Sequence, residues 1–139
     1  MAQSDVFSLV DELKNIRNLS GDQLLSKFEG ICSSKRPGLG FMTKLDASAC
    51  DSVYKCCLLL STITNGNKIP REFQLEATLA LLAGKDSLIH AATGSGKTLC
   101  MVLPALLDPT AVSLVVSPLK RLQVLQVSCV RDIVVQFLI

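Results

Sequence analysis

The sequence predicts an α/β fold in which a parallel sheet is preceded by a mainly helical segment. Two observations carry this prediction. Up to residue 64 the apolar residues recur at helical spacing. After the turn Asn65-Gly66-Asn67-Lys68, short apolar runs alternate with helical ones, as βαβ units require. A third observation is the glycine-bearing loop Ala91-Ala92-Thr93-Gly94-Ser95-Gly96, set between a strand-like run and a helical one. The turn divides the 139 residues into a helical segment 1–66 with no assignable motif and a segment 67–139 that carries the loop.

The elements follow in order. In SDVFSLVDELKNIRN, Val6, Leu9, Val10, Leu13 and Ile16 form one helical face, with Ser4 or Asp5 available as the N-cap. Ser20 and Gln23 have the spacing of a capping box for a short second helix bearing Leu24, Leu25 and Phe28, which Gly30 stops. SSKRPGLG reads as a loop. Residues 46–64 place Val53, Cys56, Cys57 and Leu60 on one helical face. FQLEATLALLAG, with Phe73, Leu75, Leu79 and Leu82 at near-helical spacing, predicts a helix ended by the turn Gly84-Lys85-Asp86. SLIH at 87–90 is a strand, and KTLCMVLPALL a helix with Leu99, Val102, Leu103 and Leu106 on one face, kinked or shortened at Pro104. The β-branched run AVSLVVS at 111–117 predicts a buried strand, followed by a helix in PLKRLQVLQV.

Composition sets outer limits on function. Apolar residues make up 49% of the chain, with no tryptophan and no low-complexity tract, so a packed core is expected. A net charge of +2 is too small to announce a nucleic-acid surface. The six cysteines form no CxxC pair and have one histidine, His90, beside them, which argues against structural zinc and for reduced thiols in an intracellular protein. No apolar run follows a basic N-terminus, and no apolar stretch has the length of a bilayer span.

Ala91–Thr98, AATGSGKT, departs from the phosphate-binding pattern G-x-x-x-x-G-K-[ST] only in carrying Ala91 at the first glycine position. Gly94 and Gly96 supply backbone freedom where the chain must approach an oxygen closely, and the N–H groups around Thr93, Gly94, Ser95 and Gly96 wrap phosphates. Lys97 reaches the β and γ phosphates as a point charge, and the Thr98 hydroxyl suits Mg²⁺, both at a helix N-terminus whose dipole favours anions. The competing reading is a glycine-rich surface turn with a chance lysine. His90 reads as an ordinary residue at a strand end.

IPREFQLEATLALLAGKDSLIHAATGSGKTLCMVLPALL and SLVVSPLKRLQ together resemble the first part of the motor core of superfamily 2, DEAD/DEAH-box-like helicases, and most closely the RecQ-like ATP-dependent DNA helicases. The resemblance covers about residues 69–127 and implies a RecA-like domain that binds ATP and Mg²⁺ and unwinds DNA in the 3′–5′ direction. It implies that Gln74 reads the adenine edge, for which an amide has both donor and acceptor, and that Arg71 helps to hold the base. In Ser117-Pro118-Leu119 it makes Ser117 a contact to a DNA phosphate. Lys120 and Arg121 then add sequence-independent affinity, or else simply begin a solvated helix. A nuclear location follows if the chain is eukaryotic.

The later metal-holding Asp-Glu motif of such an enzyme does not follow the loop. Asp11-Glu12 lies before it on a helical face, and Asp132 precedes the apolar run IVVQFLI where a metal-holding carboxylate would end it. The expectation is therefore an incomplete RecA-like domain from a truncated helicase, binding ATP and nucleic acid without the later catalytic motifs. The alternatives are a non-catalytic nucleotide-binding or protein-interaction module, with residues 1–66 as a partner-binding segment, and a different P-loop enzyme such as a small kinase.

Overall fold

A computed structural model describes residues 3–112 together with 114, 124 and 127. Its elements are helices α1 (Gln3–Asn18), α2 (Gly21–Glu29), α3 (Leu39–Met42), α4 (Ala47–Ile63), α5 (Glu72–Leu82) and α6 (Leu99–Leu107), with a 3₁₀ turn at Ser33–Lys35. Helix α4 is the hub: it packs against α1, α2, α5 and α6, and α5 packs on α6. Its spacing explains this position. Val53, Cys56, Cys57 and Leu60 are buried as expected, and Leu58 and Leu59 are buried as well, so the helix is covered on more than one side. One apolar cluster runs from Leu13, Ile16 and Leu24 through α4 to Leu75, Val102, Leu103 and Leu106, and so includes residues from both sides of the turn at 65–68.

Polar contacts join distant parts of the chain to this core. The Glu72 carboxylate accepts the Gly38 N–H at 2.8 Å, and Lys35 Nζ donates to the Gly66 carbonyl at 2.8 Å. The turn after α4 bends through Asn65 (φ 49°) and Gly66 (φ 77°), braced by the Thr64 hydroxyl, which donates to Leu60 O and accepts from Lys68 N. Burial pushes the Cys56 thiol up to about 12 and raises Cys57 further, so both remain neutral, apolar packing groups.

Two expectations need correction, the strand at 87–90 and the capping box of α2. Among the described residues there is no strand. Residues 87–90 are irregular and Leu88 is 99% exposed; a buried parallel strand needs a paired neighbour and covered faces, and no described residue supplies them. The run 111–117 lies largely outside the described residues, and the described Val112 and Leu114 are exposed.

The capping box at α2 does not form: Ser20 takes the N-cap conformation, but its side chain makes no cap hydrogen bond. Helix α2 does end at Gly30, which caps it in right-handed conformation (φ −69°), and Arg36 braces that end through its guanidinium, which donates to Glu29 O at 3.0 Å and Ile31 O at 2.8 Å. Helix α5 forms as expected, with Leu75 buried and Leu79 packed against the core. It also buries Thr78 and Gln74, the latter drawn inward by a hydrogen-bonded partner described next, and Leu82 is about half exposed. Helix α6 presents the expected face and continues three residues past Pro104 before ending at Leu107.

Candidate nucleotide-binding loop

Helix α5 and the loop 91–98 meet through Gln74. This side chain is 2% exposed and both ends of its amide are used. Oε1 accepts the Arg71 N–H at 2.8 Å, closing the first turn of α5 from within, as the N3 member of a capping box does. Nε2 donates to the Gly96 carbonyl at 2.9 Å and lies 3.4 Å from that of Ser95. Thr78, one turn on, donates back to the Gln74 carbonyl at 2.8 Å. The approach to the loop is so close that a Cβ on Gly96 would sit 2.8 Å from Gln74 Nε2. Gly96 is thus required twice, for this contact and for its φ of +85°.

Within the loop, Gly94 also has positive φ (+80°), and Ser95 N donates to Ala92 O at 3.2 Å. The N–H groups of Gly94, Gly96, Lys97 and Thr98 have no hydrogen-bond partner among the described residues. They gather at the start of α6, where Thr98 is the N-cap and its side chain makes no capping bond. That end of the helix therefore keeps unsatisfied donors, the arrangement that favours an anion. Ser95 Oγ is buried and has no partner either, an unmet polar atom in the same loop.

Lys97 is exposed, and its ammonium group donates to the carbonyls of Ala91 at 2.7 Å and Ala92 at 2.9 Å. These bonds hold the loop against its own lysine. A surface lysine loses little on exchanging neutral carbonyls for phosphate oxygens, since charge-assisted bonds are the stronger kind. The donor set of open N–H groups, Lys97 and the Thr98 hydroxyl fits a polyphosphate with its divalent ion.

Of the residues singled out in the sequence, Gln74 is held against the loop that carries Thr93 to Thr98, and Arg71 joins it only through its backbone N–H. Arg71 is exposed at the start of α5. Ser117, Lys120 and Arg121 lie outside the described residues. His90 is exposed. The sequence reading missed the bond from Arg17 Nε in α1 to the Leu106 carbonyl in α6, at 2.7 Å. It spans 89 residues, and no local pattern signals it.

Residues 71–136 match the DEAD/DEAH box helicase family. The chain is 54% identical over 52 residues to an ATP-dependent DNA helicase Q-like SIM of Arabidopsis thaliana, a stretch of 37% of this chain and 6% of that protein. It is 49% identical over 57 residues to a RecQ-like DNA helicase BLM of Xenopus laevis, covering 41% of this chain and 4% of the relative. To an ATP-dependent DNA helicase RecQ of Pasteurella multocida it is 50% identical over 52 residues, 37% of this chain and 8% of the relative. The matched stretch is thus a small part of each of these proteins. No solved structure matches the chain significantly.

Proposed function

We propose, from the premise that residues 71–136 are DEAD/DEAH box helicase sequence with RecQ-like relatives, that the chain binds Mg-ATP as part of an ATP-dependent DNA helicase. The observation that carries the reading is the loop itself: open N–H donors at the start of α6, positive φ at Gly94 and Gly96, and Lys97 and Thr98 in sequence after them. Thr93, Gly94, Ser95 and Gly96 cradle phosphate through the backbone. Lys97 exchanges its carbonyl partners for β and γ phosphate oxygens, and the Thr98 hydroxyl helps to hold Mg²⁺. Arg71 and Gln74 are proposed for the base end of an adenine nucleotide by the sequence resemblance; to read the base, Gln74 gives up the Arg71 N–H and Gly96 carbonyl bonds that occupy both ends of its amide here.

Ser117, Lys120 and Arg121 are the proposed DNA-backbone contacts, a RecA-like sheet is the proposed completion of the fold, and a nuclear location suits a eukaryotic member. Glu76 is the last glutamate in the sequence and no Asp-Glu pair follows the loop, so these 139 residues are proposed to bind nucleotide without unwinding DNA by themselves. No described helix is long and apolar enough to cross a membrane.

Calorimetric titration with Mg-ATP tests the proposal, alongside Lys97→Ala shown by circular dichroism to be equally folded. Binding by the parent, weakened at least tenfold in the variant, is the expected result, about 1.4 kcal/mol or more. A well-folded parent that takes up no nucleotide sinks the reading. GTP bound as tightly as ATP removes the adenine assignment of Arg71 and Gln74.

A further inference from the structure

The bond between Arg17 and Leu106 gives helix α1 a role in this site. Helix α6 carries the phosphate loop at its first residue and is nine residues long, so the direction in which its N–H groups point depends on how its far end is held. That far end is inherently unsatisfied, because the last carbonyls of a helix have no partner within it. The donor that meets the Leu106 carbonyl belongs to α1: Arg17 lies in its last turn and is half-buried, with Nε at 2.7 Å. Desolvation draws the Arg17 pKa down from its ordinary value, but a guanidinium remains cationic, and a cation at a helix C-terminus is favourably placed. Beside this contact the α1 residues Leu13 and Ile16 and the α6 residues Val102, Leu103 and Leu106 belong to a single apolar cluster.

We infer that Arg17 is a positioning residue for the phosphate loop, acting through α6, so that the last turn of α1 helps to set the nucleotide site. The inference rests on the nucleotide-binding reading above for its functional consequence, and on the Arg17–Leu106 geometry for its mechanical one.

The test uses the full chain and three variants: Arg17→Met, which keeps the apolar stem and removes the donor; Arg17→Lys, which restores a cationic donor; and Leu24→Ala, a destabilising core change in α2. Mg-ADP affinity is measured at a temperature where circular dichroism shows each chain folded. Expected is a several-fold weakening in Arg17→Met, partial recovery in Arg17→Lys, and unchanged affinity in Leu24→Ala despite a lower melting temperature. Parent-like affinity in Arg17→Met, or equal weakening in Leu24→Ala, overturns the inference.

Hydrogen exchange separates this failure from that of the functional reading. If the parent binds no nucleotide, the functional reading fails, and Arg17 is judged by amide exchange over residues 93–107 alone. Faster exchange there in Arg17→Met than in Leu24→Ala supports the positioning role, and equal exchange overturns it.

Discussion

At the start of α4 the Asp46 carboxylate accepts the Ala49 N–H at 2.8 Å, whereas at the start of α6 Thr98 offers no side-chain cap and the N–H groups of Lys97 and Thr98 are open. The two helices share a core, so burial does not explain the contrast. An aspartate at the N-cap supplies its own negative charge to the helix end and finishes it as a structural part. Where that carboxylate is replaced by glycines and a lysine, the same end lacks an anion, and the chain around it is shaped to accept one. The helix that organises the core is closed, and the helix that faces solvent at its N-terminus is unfinished.

Three substitutions probe this contrast, beginning with the largest effect. Leu59→Ala opens a cavity in the middle of α4, where Leu59 is fully buried, and is expected to cost about 2 to 5 kcal/mol in urea unfolding. A loss below 1 kcal/mol would mean that α4 is not the hub assigned to it. Gly96→Ala acts on the open end. It places a Cβ at positive φ, costing about 1 to 2 kcal/mol, and also against Gln74 Nε2, so that both stability and Mg-ATP affinity should fall. Stability reduced with affinity untouched would show that the Gln74–Gly96 contact holds the fold and not the site. Asp46→Ala is the smallest change: about 1 kcal/mol of stability from the lost cap, with nucleotide affinity equal to that of the parent. An affinity change there would show that the two helix ends are not independent.

The parts of this structure that were legible in the sequence are those fixed by near neighbours. Helical spacing in α1, α4 and α6 identified the buried faces, because which residues share a face depends only on the 3.6-residue repeat. The loop was legible for the same reason, since its glycines, lysine and threonine are contiguous. The burial of Gln74 in α5 was not: it follows from a carbonyl 22 residues away, and a polar residue pulled inward by a distant partner leaves no mark on the local pattern. Strand 87–90 failed for a related cause, as Ser87-Leu88-Ile89-His90 has the composition of a strand but pairing is a long-range event. The Arg17–Leu106 bond is the extreme case.

The pairing of Phe28 with Tyr54 has a practical consequence. Their ring centroids are 4.4 Å apart, joining α2 to α4, and the Arg36 guanidinium lies 5.9 Å from the Phe28 centroid. Tyr54 is the only tyrosine and the chain has no tryptophan, so its intrinsic fluorescence comes essentially from this one stack. Emission and near-ultraviolet signals will follow the separation of α2 from α4 and remain dark to events at the phosphate loop. An optical titration that shows no change on adding nucleotide therefore says nothing about occupancy until a tryptophan is introduced beside α6.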